Sequence, residues 1–331
     1  RYNHQKFQVP VLFEPPDIRA TEALCRRLSY HESQSIVKGV VAVWKDAGHI
    51  FGASFIEVEA EGKRIIFSGD IGNVDMPILK DTERLGAADV LFCESTYGDR
   101  QHEPAERRKQ LFLSLLRDGI RRGGTIMIPA FSIERIQELL YTLHVTIEHE
   151  KSLPKFPIFL DSPMAIDALA VYKRYPEYYD REAARMYMIG DDFLRFPGLS
   201  VTRSVEESKQ INNVPGPKMV IAGAGMMNGG RILHHAHRYL SDPRSTLIIV
   251  GYQAEGTLGR RLYEGAEQVT IFGDTIPVRC TVQAIGGLSA HADQDRLVSW
   301  VSQAAARPRK IYCVHGEAHS ATALAHRFRR E

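Results

Sequence analysis

"RIIFSGD" occupies residues 64–70. It is a short run rich in isoleucine that stops on Ser-Gly-Asp. A run of this length and branching reads as a strand buried on both faces rather than as a helix. The same pattern recurs in "DVLFCES" (89–95), "GTIMIPAF" (124–131), "FPIFLDSP" (156–163), "KMVIAGAG" (218–225), "TLIIVGYQ" (246–253) and "KIYCVHGE" (310–317). Helical patterns fall between these runs. In "SIERIQELLYTLH", Ile133, Ile136, Leu140 and Leu143 recur at three and four residues, with Ser132 placed to cap. "SVEES" (204–208) has the form of a capping box. Alternating strand and helix predicts an α/β fold. Nearly every strand ends in a polar or glycine-rich cluster: SGD, ESTYGD, PAFSIER, DSPMA, GAGMMNGG, VHGE. Open α/β sheets bind ligands beyond the carboxyl ends of their strands, where loop amides and helix N-termini gather. A large site is expected at that edge.

Composition narrows the class. A chain of 331 residues, 44% hydrophobic and 25% charged, is ordinary globular protein of two domains or one large one. The net charge of +2 sets up no global field, so a nucleic-acid partner must be held by local patches. No apolar run reaches the roughly 18 residues of a membrane helix, and no membrane partner is expected. The opening "RYNHQKFQVP" lacks the apolar core of a signal peptide. The four cysteines form no CxxC pair, and Cys93 and Cys313, inside strand runs, read as buried free thiols. That usage suits a reducing cytoplasm.

One ordered set carries more information than any member of it: "AGHIFGAS" (47–54), "FSGDIG" (67–72), "ESTYGDRQH" (94–102), "SAHAD" (289–293) and "VHGE" (314–317). Together, and in this order, these stretches resemble the β-CASP branch of the metallo-β-lactamase fold. That branch comprises RNA-processing nucleases, including the mRNA 3′-end cleavage subunit and its bacterial and archaeal relatives. "PAFSIERIQELLY", "LDSPMA" and "GAGMMNGGRILHH" resemble the cap domain of that branch, so the likeness spans essentially the whole chain. It implies an αββα sandwich, present here in part, with an inserted α/β cap. The expected division is 1–105 and 277–331 for the sandwich and 106–276 for the cap.

The resemblance also implies roles. His49 would ligate one zinc ion, Asp70 would bridge two, and His315 would ligate the second. Imidazole and carboxylate suit zinc while leaving a position for water, whose pKa the metal lowers toward neutrality. His291 would be the non-ligand acid that protonates the leaving 3′-side oxygen, held and kept basic by Glu94. DNA-processing members carry valine where His315 stands, so RNA is the expected substrate. Single-stranded RNA and a second copy of the chain are the expected partners. The family's His-x-His-x-Asp-His loop, which would precede His49, is not in this sequence. Three of the usual side-chain ligands remain, fewer than two zinc sites need, as in a chain cut at both ends. The rival reading is a non-catalytic RNA-binding or scaffold paralogue. Such paralogues lose the metal and proton-transfer residues, and His49, Asp70, Glu94, His291 and His315 are all kept here.

Ser132, Ser162, Gly225 and Arg231 are candidate substrate contacts, since hydroxyls and backbone amides at strand ends can hold phosphate. In "RILHHAHRYL", His234, His235 and His237 read as helical residues whose i and i+2 side chains diverge, not as a metal site. The basic clusters "ERRKQ" (106–110) and "GIRRGG" (119–124) read as solvated helix faces, with contact to an RNA backbone as the alternative.

Overall fold

The computed structural model describes residues 10–331; all but Pro10 of the stretch read for a leader lies outside them. Each of the seven apolar runs contains a strand. The strands are β1 (Ser33–Val37), β2 (Val40–Asp46), β3 (Ser54–Ala60), β4 (Lys63–Phe67), β5 (Val90–Glu94), β6 (Thr125–Pro129) and β7 (Ile158–Leu160). They continue with β8 (Leu199–Val201), β9 (Lys218–Ala222), β10 (Thr246–Ile249), β11 (Gln268–Ile271), β12 (Asp274–Pro277), β13 (Thr281–Ala284) and β14 (Lys310–Val314). Two six-stranded sheets result, ordered β1-β2-β3-β4-β5-β14 and β13-β10-β6-β9-β7-β8.

The second sheet is parallel throughout. Its central strands β6, β9 and β10 are buried on both faces, as their unbroken apolar runs require. In β6, Ile126 and Ile128 face one core while Met127 faces the other. The sheet ends at β13, which pairs with β10. The expected cap boundary at 276 therefore falls inside β12 and would separate the edge strand from its sheet. Sequence patterning missed this because "CTVQAIGG" lacks the long branched run of the other strands.

The first sheet departs from the two-faced burial expected for 64–70, 89–95 and 310–317. One face packs Ile66, Leu91 and Cys93 against Leu297, Val298 and Val301 of the helix Gln294–Ser302 and Leu324 of the helix Ala318–Arg330. The other carries Trp44, Ile56, Phe67, Phe92 and Tyr312 side by side in register across β2, β3, β4, β5 and β14. Phe67, Phe92 and Tyr312 stack at 4.9 and 5.1 Å, yet Phe67 is 41% and Tyr312 48% exposed. Among the described residues no second layer covers this face. Edge-strand position leaves Cys313 only half-buried, whereas Cys93 is fully so.

Local expectations fared unevenly. Ser204 and Glu207 form the capping box. The helix Arg135–His144 starts later than expected, after Glu134 at φ +67, so Ser132 does not cap it and Ile133 lies outside it. Arg108, in the first basic cluster, is buried and donates to the carbonyls of Val74 and Gly287. The second cluster lies at the solvated end of the helix Ala105–Arg122. No described helix is long and apolar enough to cross a membrane.

Candidate active site

Strands β4, β5 and β14 run parallel side by side, so their carboxyl ends share one edge. Asp70 follows β4, Glu94 ends β5 and His315 follows β14. Two antiparallel steps return β2 to the direction of β4, bringing the His49 turn to the same edge. Two glycines let these turns touch. Gly72 donates its N–H to the Ala47 carbonyl at 2.8 Å, and a Cβ on it would lie 1.9 Å from the Gly48 carbonyl oxygen. Gly48 itself is at φ +64 with a Cβ position 2.6 Å from the Thr82 nitrogen. Only glycine fits at either position.

His291 arrives from the far end of the chain. Asn73 N–H donates to Ala290 O and Ala292 N–H to Ile71 O, both at 2.8 Å, while the Asn73 amide donates to Gly287 O and Ser289 O at 3.1 Å. Asp293 then caps the next helix through Arg296 N–H. The Ser-Ala-His-Ala-Asp loop is thus pinned on both sides of its histidine.

The five side chains converge. His49 Nε2 lies 3.8 Å from Asp70 Oδ2, and His315 Nδ1 lies 3.4 Å from Asp70 Oδ1. His291 Nδ1 lies 3.1 and 3.2 Å from the Glu94 oxygens. The His291 ring stands 4.4 Å from that of His49 and 5.6 Å from that of His315. Burial and the neighbouring His291 push His49 down to about 4, so it is a neutral imidazole with a lone pair to give. Burial alone would lower His291 too. The hydrogen bond and charge of Glu94 outweigh it, and the pKa is raised. Burial alone would raise Glu94. The hydrogen bond and charge of His291 and the Ile71 amide, donating at 2.6 Å, reverse that.

His49, Asp70, His291 and His315 line a cavity of about 1220 Å³ between the carboxyl ends of the two sheets, with Glu94 buried behind His291. Ser132 and Ser162 face each other across 3.1 Å on its cap wall, and Ser162 also caps the helix Pro163–Arg174. Arg231 lines the cavity but is turned inward: it donates to Asp161 at 2.7 Å and to the Thr202 and Arg203 carbonyls. Gly225 is not on the cavity wall. A Cβ there would meet the Phe131 ring at 2.8 Å, so its backbone is needed for packing. His234 and His237 sit beside Phe272, and His235 is buried against Asp161. The helical reading of that stretch holds.

Family models and known proteins match this chain over most of its length. A Beta-Casp domain model matches residues 136–262, and a "Zn-dependent metallo-hydrolase RNA specificity domain" matches 275–331. Ribonuclease TTHA0252 of Thermus thermophilus is 39% identical over 313 residues, covering 94% of this chain and 70% of the relative. The chain belongs to the β-CASP ribonucleases. An RNase J-like protein of Methanocaldococcus jannaschii is 32% identical, covering 95% of this chain and 72% of the relative. Drosophila cleavage and polyadenylation specificity factor 73 is 29% identical; 97% of this chain aligns to 46% of that protein. β-CASP ribonucleases are metal-dependent hydrolases of RNA, and mixed parallel and antiparallel sheets with an inserted cap are their architecture.

Several residues that complete this β-CASP site carry no obvious signal. Thr96 lies 3.1 Å from His315 Nδ1 and donates to its carbonyl, holding a histidine whose φ is +52. Asp161 is a buried hub accepting from Thr202, Ser208, Arg231 and His235. Glu134, also buried, accepts from Phe51 N–H at 3.2 Å and from the Tyr172 hydroxyl, tying the His49 turn to the cap. Phe51 stacks on Tyr172 at 4.0 Å. Thr96 sits within a quoted motif, but nothing in sequence pairs Asp161 or Glu134 with their partners.

Proposed function

We propose single-stranded RNA as the substrate, the cytoplasm as the location and a homodimer as the working state, with His49, Asp70 and His315 as three of the ligands of a zinc centre that needs more, and His291 as the general acid. The observation that carries the reading is the buried Glu94–His291 pair set directly against the His49–Asp70–His315 cluster. The donor set suits zinc: two imidazoles, one of them held neutral, flank a half-exposed carboxylate. Zinc held there supplies Lewis acidity and a water acidic enough to lose its proton near neutral pH. Glu94 occupies Nδ1 of His291, which leaves Nε2 to face the cavity. From Nε2 the proton passes to the leaving oxygen as the phosphorus–oxygen bond breaks. Glu94 fixes the ring and stabilises the imidazolium before the transfer. On the opposite wall, Ser132 and Ser162 offer hydroxyls, and Met164 offers its N–H, to a phosphate of the strand.

The test is His291→Ala. Cleavage of a labelled RNA should fall by about 10²–10⁴-fold, the usual contribution of general acid catalysis, with zinc content unchanged. Cleavage near the wild-type rate, or loss of zinc in this variant, refutes the assignment.

A further inference from the structure

A second cluster of metal-binding side chains lies in the cap, away from the cleft. The helix Arg135–His144 runs directly into a π turn, Val145–His149, whose closing bond is Glu150 N–H to Val145 O at 2.9 Å. In a continuous α-helix, residues five apart point about 140° away from each other. The wider turn instead brings His144 and His149 onto one face, with their Nε2 atoms 3.3 Å apart. Asp191 completes the group from the loop after the helix Arg181–Met188, where Gly190 takes φ +76. Its two carboxylate oxygens lie 2.8 Å from His144 Nε2 and 2.7 Å from His149 Nε2. None of the three lines the catalytic cavity.

We propose that His144, His149 and Asp191 form a divalent transition-metal site of zinc type in the cap. Three features carry it. The ligand set, two imidazoles and one carboxylate, is the kind zinc takes when a water fills the fourth position. The Nε2–Nε2 separation equals the edge of a tetrahedron with metal–nitrogen bonds of ~2.0–2.1 Å, which is about 3.3–3.4 Å. Coordination asks only that the carboxylate move back by about half an ångström. The π turn is the third feature. It sacrifices regular helix geometry, and such turns cluster at functional sites. The burial is graded as a three-ligand site needs: the His144 side chain is 6% exposed, Asp191 22% and His149 45%, so the remaining position opens to solvent. Bound metal would fasten the long buried helix of the cap to the loop that follows its neighbour.

The test uses the whole protein, stripped with chelator, reloaded with zinc chloride and passed over a desalting column. His149→Ala and Asp191→Asn, both at partly exposed positions, should each hold one zinc fewer per chain than wild type, with unchanged far-UV circular dichroism. Cobalt loading should give a wild-type-minus-variant visible spectrum of a tetrahedral nitrogen–oxygen site. Anomalous diffraction from wild-type crystals at the zinc edge should place a peak among the three side chains, independently of how the variants fold. Equal zinc content in wild type and both variants, or no anomalous peak at that position, would show a hydrogen-bonded clip and overturn the proposal.

Discussion

His291 and Glu94 are tuned against each other, and the tuning has a readable sign. Glu94 keeps the imidazole protonated at pH values above its ordinary range. Replacing the carboxylate removes that effect while burial, which favours neutral imidazole, stays. In Glu94→Gln the alkaline limb of kcat/KM against pH should therefore move to lower pH. An unmoved limb would dissociate the pair from proton transfer. Thr96 acts on the other histidine. With its hydroxyl 3.1 Å from His315 Nδ1, it orients the ring, and its bond to the His315 carbonyl braces the residue's left-handed backbone. Partners that orient a metal ligand are worth about 10–100-fold in metal affinity. Thr96→Val should weaken zinc binding by that order in competition with a chelator, at unchanged thermal stability.

Among the elements, Asp161 shows why part of the site was hidden. It stands where β7 ends, and four side chains from three other segments donate to it. Burial alone would raise its pKa. The bonds from His235, Thr202, Ser208 and Arg231 more than reverse this and leave it well below the ordinary carboxylate range. Its contribution to stability is thus complete above about pH 4, the unfolded value, and is lost as pH falls toward the depressed folded one. Asp161→Ala leaves the buried His235 and Thr202 without their acceptor and should cost about 1–3 kcal/mol, read from denaturant midpoints at pH 7. In sequence Asp161 is one strand-end aspartate among several. The strands were legible because branched runs tell of burial, and the ends of β4, β5 and β14 were legible because their polar residues have no packing use. Arg231 was legible only as a cation beside glycines; its partners come from 29 and 70 residues away. Helix starts misled for a local reason: the φ of Glu134, not a capping hydroxyl, decides where the helix after β6 begins.

Taken whole, the molecule is two sheets whose carboxyl ends face one cleft, with charge supplied locally rather than by a net field. Matched single-stranded RNA and DNA oligonucleotides should be cleaved unequally, with RNA preferred; equal rates or a preference for DNA would count against the RNA reading of His315. The apolar row on the first sheet leads to a different expectation. Contiguous exposed apolar surface promotes association, so a protein made of these residues alone should run above monomer mass by light scattering. Phe67→Glu with Tyr312→Glu should remove any association beyond the proposed dimer. The fastening of the His49 turn to the cap has a mechanical consequence. Glu134 and the Phe51–Tyr172 stack tie the cap helix Pro163–Arg174 to the His49 turn, and Asp180 N–H donating to Ile78 O adds a second link close by. Widening of the cleft would load these links, so the spacing of the two walls and the position of the His49 turn are coupled.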